Sequence, residues 1–262
     1  MSVWEILHGD CIEVMANLPA ESVDAIITSP PYAMQRKDTY GGVPEAEYPA
    51  WTVAWMAEAR RVLKADGSAV INIRPHVRNG QISDYVLRTR LALRADGWAE
   101  VEELIWHKSG AMPVGSVQRP RRSWESLLWY AKHGRPYSAP KALGSPLTAV
   151  NTGGGRRGPH LAATQRYGAA TGTARVPDVA TIPTAANERD GDFTRHPAPY
   201  PPALAEWVAH LICPPGGTIL DPFSGSASTG VAALRNGWDY IGIDIRKEYV
   251  EMSRRRLSLV AA

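Results

Sequence analysis

The 262-residue chain reads as an α/β protein built on a largely parallel sheet. Three observations predict this: short β-rich runs alternate with amphipathic runs, several amphipathic runs stop at a glycine, and the 44% apolar content suffices for a substantial core. "VWEILHGD" predicts the first strand, "IEVMANL" a short helix and "SVDAIITS" the second strand. In "YPAWTVAWMAEARRVLKADG", Trp51, Trp55, Ala59, Val62 and Leu63 share one helical face, which predicts a helix stopping at Gly67. "SAVINI" follows as a buried strand, "ISDYVLRTRLALRADG" as a helix ended by glycine, and "WAEVEELIWHK" and "SWESLLWYAK" as a pair of strands, with His107 at a sheet edge.

From about Gly134 to Asp192 the texture changes. Proline, glycine, alanine, threonine and arginine displace any periodicity, so this stretch is expected to be an insertion outside the core. The regular pattern then resumes with helix "PPALAEWVAHLI", strand "GTILDPFSG", helix "SASTGVAALRNG", strand "DYIGIDI" and helix "KEYVEMSRRRLSLV". No internal repeat of about 20 to 50 residues is present.

Composition excludes several classes. The longest apolar runs are strand length, well short of the roughly 20 residues that cross a bilayer, and no charged-then-apolar leader opens the chain, so a cytoplasmic protein without membrane contact is expected. Two cysteines, Cys11 and Cys213, form neither a disulfide framework nor a metal cluster, and no metal spacing surrounds His107 or His196. The net charge of +3 conceals a block: between Lys108 and Arg175 eleven cations face one acid, Glu125. Such a block is either a solvated face or a footprint for phosphate backbones.

Two turns carry chemistry. "TILD" runs into "PFSGSASTG" and a helix, aiming backbone N–H groups at an anion or carboxylate, and the next strand ends in Asp244, about 20 residues on, as an acid that grips ribose hydroxyls should. No Gly-Lys-Ser/Thr follows and the full dinucleotide fingerprint is missing, which favours a nucleoside with a small zwitterionic tail over a pyrophosphate. The other turn is "TSPPY", where two prolines and an aromatic ring follow a buried strand. Taken alone it is an ordinary turn.

Together, "TSPPY" early and "RHPAPYP…LDPFSGSAST…YIGIDI" late resemble the motifs of S-adenosylmethionine-dependent DNA amino-methyltransferases. Target-base motif first and cofactor motif last is similar to the circularly permuted, beta-type branch. "HGDCIEVMANLPAESVDAIITSPPY", "EARRVLKADGSAVINI", "IWHK" and "EYVEMSRRRL" also stand in family order, leaving only residues 134–192 unmatched. The resemblance implies a Rossmann-like methyltransferase sheet, mostly parallel with one antiparallel strand near the edge. It divides the chain into a target-base half (1–133), a target-recognition region (134–192) and a cofactor half (193–262).

The implied reaction moves a methyl group from S-adenosyl-L-methionine to the exocyclic amine of a base flipped out of duplex DNA. An exocyclic amine is a poor nucleophile because its lone pair is delocalised, and two fixed acceptors on its N–H bonds stabilise the charge that develops as it attacks. The resemblance gives that task to Ser29 Oγ and the Pro30 carbonyl. Pro30 and Pro31 stiffen the loop, and Tyr32 stacks on the base. It assigns Asp10 and Cys11 to the adenine side, Asp10 also being a candidate helix N-cap. The segment His196–Pro201, beginning with His196 and Pro197, falls at the methionine end, with Asp221, Pro222, Phe223, Ser224, Gly225, Ser226, Ser228 and Thr229 in the glycine turn, Asp244 at the ribose and Ile245 next to it in the cofactor site. Arg119, Arg121, Arg122, Arg156 and Arg157 are the expected phosphate or guanine contacts.

One departure is visible. Ala227 stands where the family usually has the second glycine of Gly-Ser-Gly, which weakens cofactor binding if that position needs positive φ. Carbon-5 chemistry is disfavoured because neither cysteine follows a proline. Ser-Pro-Pro-Tyr is the usual cytosine-N4 form in this family, so cytosine is expected. Adenine-N6 or RNA methylation, and a DNA-binding module with a decayed cofactor site, remain alternatives, and a homodimer and a cognate restriction endonuclease remain open as partners.

Overall fold

The structure is a computed structural model that describes residues 2–34, 42–110, 118–144, 150–151, 167–168, 173–184 and 200–261. The strands are β1 (Trp4–His8), β2 (Val23–Thr28), β3 (Leu63–Ile73), β4 (Val77–Arg78), β5 (Gln81–Ile82), β6 (Ala99–His107), β7 (Trp124–Ala131), β8 (Val150–Asn151), β9 (Tyr167–Gly168), β10 (Val179–Thr181), β11 (Thr218–Asp221) and β12 (Asp239–Asp244). The helices are α1 (Cys11–Ala16), α2 (Tyr48–Val62), α3 (Tyr85–Ala95), α4 (Pro202–Ile212), α5 (Ser228–Arg235) and α6 (Lys247–Ala261).

Eight strands form one sheet in the order β1-β12-β11-β2-β3-β7-β6-β10. Every neighbouring pair is parallel except those made by β7, which runs against both β3 and β6. This is the mostly parallel, Rossmann-like sheet that the resemblance implies. Helices cover both faces. Ile26, Ala69 and Ile71 pack beneath α1, α2 and α3, and Ala25, Ile27 and Val70 pack beneath α4, α5 and α6. β2 is buried along its whole length, as a central parallel strand must be. The α5 helix lies unusually close to β12, because a Cβ on Gly230 would come within 2.6 Å of the Tyr240 ring. Among the described residues, no helix is long and apolar enough to cross a membrane.

Four expectations are corrected. α2 ends at Val62, not at Gly67, because Leu63 turns extended and pairs with Val23 at the start of the sheet. Lys64 then reaches both oxygens of Asp24 at 2.9 Å, and Gly67 lies where a Cβ would stand 2.9 Å from the Asp24 carbonyl. The predicted helix over "ISDYVLRT" starts later, since Gln81 and Ile82 pair with Arg78 and Val77 in a small hairpin. His107 is not at a sheet edge: β10 lies outside β6, with Thr181 beside His107. The irregular region therefore does reach the core, through β10 and its buried Ala180.

Candidate active site

The carboxyl ends of the parallel strands open on a cavity of about 450 Å³. This is where ligands settle in open α/β sheets, and the volume suits a nucleoside-sized molecule. The turns after β1, β2, β11 and β12 all reach it, together with side chains of β3, β6 and β7.

Its cofactor-like side is built from three turns. Gly9 adopts φ +150, and a Cβ there would lie 2.8 Å from Val14, so the β1–α1 turn requires glycine. Asp10 caps α1, its Oδ1 accepting from the Ile12 N–H at 2.9 Å, while Cys11 beside it has its thiol pushed up to about 12 by burial. At the end of β12, Asp244 accepts from the Gly225 N–H at 2.9 Å and the Arg246 N–H at 2.8 Å. Burial nevertheless dominates and raises its carboxyl from 3.8 to about 6. Phe223 is wedged against Trp51 and Trp55 at centroid distances of 5.6 and 5.3 Å, and Ile245 lines the cavity while 62% exposed. A buried carboxylate and apolar surfaces fit a nucleoside whose ribose hydroxyls donate to Asp244, whereas the N–H groups of Phe223, Ser224, Gly225 and Ala227, expected to face an anion, are taken by Asp221, Ile243, Asp244 and Ser224.

Beneath this floor Asp221 acts as a hub. It is 1% exposed, and its oxygens accept from Thr28 Oγ1 at 2.6 Å, Thr229 Oγ1 at 2.8 Å, the Phe223 N–H at 3.1 Å and Tyr200 OH at 3.1 Å. Burial pushes the carboxyl up, and the four donors oppose that shift. One buried group thus ties the residue before Ser29 to the glycine turn and to the base of α5.

The other wall of the cavity begins at Ser29, Pro30, Pro31 and Tyr32. The Tyr32 hydroxyl donates to Glu125 Oε2 at 2.8 Å, and Glu125 Oε1 accepts from Lys108, which also lies 4.5 Å from the Trp106 ring centroid. Burial and the Glu125 carboxylate raise the Tyr32 phenol well above its ordinary value, so it stays protonated. This pairing across β6 and β7 holds the Tyr32 ring at the cavity wall. The same cavity is lined by Asn72, 5% exposed, whose Oδ1 has no hydrogen-bond partner among the described residues. A buried unpartnered amide oxygen costs about 1–3 kcal/mol.

Of the residues expected from sequence, Ser29, Pro30, Pro31, Tyr32, Asp10, Cys11, Pro222, Phe223, Gly225, Asp244 and Ile245 meet at the cavity. Asp221, Ser224, Ser226, Ser228 and Thr229 are buried and do not line it; Ser224 bonds Tyr240, and the Ser226 carbonyl accepts from Arg256. His196, Pro197, Arg156 and Arg157 lie outside the described residues. Arg119 and Arg122 donate to the Gly80 and Pro75 carbonyls near the same rim, and Arg121 is exposed. Ala227 does adopt the left-handed conformation, at φ 57 and ψ 41, a strain of roughly 1–2 kcal/mol that α5 tolerates. Sequence reasoning missed Asn72, Lys108 and Glu125, while Tyr200 lies in the His196–Pro201 segment that the resemblance put at the methionine end. A signal existed for two: Glu125 is the lone acid of the basic block, and Asn72 interrupts an apolar strand.

Comparison with known proteins bears on this arrangement. A Type II methyltransferase, M.XycI of Xanthomonas campestris pv. cyanopsidis, is 28% identical over 288 residues, covering 96% of this chain and 87% of its own. M.ScaI, a Type II methyltransferase of Streptomyces caespitosus, is 26% identical over 261 residues, covering 98% and 82%. Among solved structures, the PvuII DNA methyltransferase (cytosine-N4-specific) superimposes with a TM-score of 0.76 at 22% identity, covering 100% of this chain and 92% of that one. The M1.HpyAVI–SAM complex gives 0.65 at 22% identity, covering 97% and 99%. These structural likenesses establish the shared fold. The sequence model of the N6_N4_Mtase family, described as DNA methylase, matches residues 23–255, and the chain belongs to that family.

Proposed function

We infer that the protein transfers the methyl group of S-adenosyl-L-methionine to N4 of a cytosine turned out of duplex DNA. The observation that carries this reading is the shared cavity: the early Ser-Pro-Pro-Tyr loop and the late Phe223–Gly225 turn with Asp244 open on one space. When bound, S-adenosyl-L-methionine supplies a methyl group activated by its sulfonium. Asp244 takes the ribose hydroxyls, Asp10 and Ile245 flank the adenine, and the Gly225 turn faces the methionine end. Ser29 Oγ and the Pro30 carbonyl accept the two N–H bonds of the target amine, and Tyr32, steadied by Glu125, stacks on the ring. Stacking returns about 1–3 kcal/mol against an extrusion cost of a few kcal/mol. Arg119, Arg121 and Arg122 meet phosphates at the rim, with Arg156 and Arg157 assigned the same task.

The order of the two motifs along the chain supports a permuted methyltransferase with residues 134–192 as its recognition region. The Ser-Pro-Pro-Tyr form favours cytosine, and adenine N6 is the second reading because the family spans both bases. A cognate endonuclease is in keeping with relatives named Type II methyltransferases. The test is methylation of duplex DNA with tritiated S-adenosyl-L-methionine, followed by digestion and separation of nucleosides. Label in N4-methyldeoxycytidine is expected. Label in N6-methyldeoxyadenosine would overturn the base assignment, and no label in DNA would overturn the activity.

A further inference from the structure

We propose that Asn72 docks the target base by the ring nitrogen that adjoins the reacting amine. This rests on the methyl-transfer reading above and adds a residue to it. Asn72 lines the cavity, is 5% exposed, and its Oδ1 has no hydrogen-bond partner among the described residues. Its place beside the chemistry follows from register. β2 and β3 pair in parallel with Thr28 opposite Ile71, so the next step sets Ser29 beside Asn72, one strand spacing away.

Packing does not account for an amide here. Ala69, Val70, Ile71 and Ile73 of the same strand are apolar, and the cross-strand partner of Asn72 is Leu127. A leucine would fill the position without stranding a polar atom. The side chain is therefore kept for its other end, the N–H donors that a ligand in the cavity can meet, and the partner they call for is an acceptor.

The chemistry of the base names that partner. Ser29 Oγ and the Pro30 carbonyl both accept from the amine, which exhausts its two hydrogens. The polar atom next to that amine is a ring nitrogen with a lone pair, N3 in cytosine or N1 in adenine; Pro30 has no N–H to give it, and the Ser29 hydroxyl is engaged with Tyr32. A carboxamide carries N–H donors as well as its oxygen, and because Oδ1 is the buried atom the N–H side is the one left for the ring. Asn72 thereby fixes the ring in its plane while Tyr32 fixes it from the face.

The experiment compares wild type with Asn72→Leu and Asn72→Ser on duplex DNA containing the site that wild type methylates. A second duplex carries, at the target base, C–H in place of the ring nitrogen. On natural DNA, both variants should lose about tenfold to a hundredfold in kcat/KM, the discrimination of one good base contact. Their dissociation constant for S-adenosyl-L-methionine should stay within about twofold of wild type, and Asn72→Leu should melt at a higher temperature because a stranded polar atom is gone. Wild type should slow on the altered duplex, whereas the variants should slow no further. Variants within about twofold of wild type on natural DNA overturn the inference alone. So does an equal further loss on the altered duplex, a parallel loss of cofactor affinity, or a lower melting temperature with Asn72→Ser unimpaired. If wild type labels no DNA, the methyl-transfer reading fails and this inference with it.

Discussion

Cofactor affinity should fall in acid through a single group. Burial raises the Asp244 carboxyl from 3.8 to about 6, against the N–H donors of Arg246 and Gly225. A value raised by folding means that the fold alone favours the protonated form. That contribution to stability is complete below pH 3.8 and is lost as pH rises through about 6, a swing of roughly 3 kcal/mol. Ribose hydroxyls donating to the carboxylate favour the opposite, ionised form, so binding draws a proton off and weakens as pH falls. With a value near 6, the ionised fraction drops from about 90% at pH 7 to about 10% at pH 5, which sets the dissociation constant about tenfold higher at pH 5. The ligand's own α-amino group stays charged throughout this window. Isothermal titration calorimetry between pH 5 and 7 measures the slope directly, and Asp244→Ala should bind weakly at every pH with no slope. A wild-type dissociation constant flat within about twofold, or one that weakens towards pH 7, would refute the reasoning.

Three further outcomes are expected. Ser29→Ala should keep cofactor affinity by calorimetry and lose about 10²–10³ in single-turnover rate, the usual loss when one preorganised group aimed at developing charge is removed. Glu125→Leu leaves Lys108 buried without its carboxylate, at a cost of about 3–5 kcal/mol in urea unfolding, and the double change Lys108→Met/Glu125→Leu should recover most of it. Asp221→Ala strands the Thr28 hydroxyl and the Phe223 N–H, about 1–3 kcal/mol each and about 2–4 °C of melting temperature per kcal/mol, while the Thr229 hydroxyl keeps Tyr200 and the Ile27 carbonyl. Asp221→Asn should be much milder, because Thr229 and Tyr200 hydroxyls can reverse and accept from the new amide.

How much of this was legible depended on whether the cause was local. The Ser29–Tyr32 loop and the Gly225 turn could be read because prolines and glycines write their backbone geometry into adjacent letters. The end of α2 could not, since Leu63 is buried whether it closes a helical face or opens a strand. The three residues of β10 are too few for periodicity to register. Asp221 was legible as a strand end but not as a buried hub, because its donors come from residues 28, 200, 223 and 229. Asn72, Lys108 and Glu125 meet through strand register, and the reversal of β7 that brings Glu125 opposite Trp106 is a property of the assembled sheet.

That reversal has a further consequence. In a wholly parallel sheet, each strand delivers its outgoing chain to the ligand-bearing rim and receives its incoming chain from the far side. A strand running backwards starts where its neighbours finish, so the segment joining β6 to β7 leaves and re-enters on the same rim, with Arg119, Arg121 and Arg122 on it. Its two ends are joined at that rim, where the Lys108 N–H donates to the Ser123 carbonyl at 2.6 Å. In the reading proposed above, the reversed strand thereby brings basic side chains to the mouth of the cavity, where a wholly parallel sheet would have sent them to the far side.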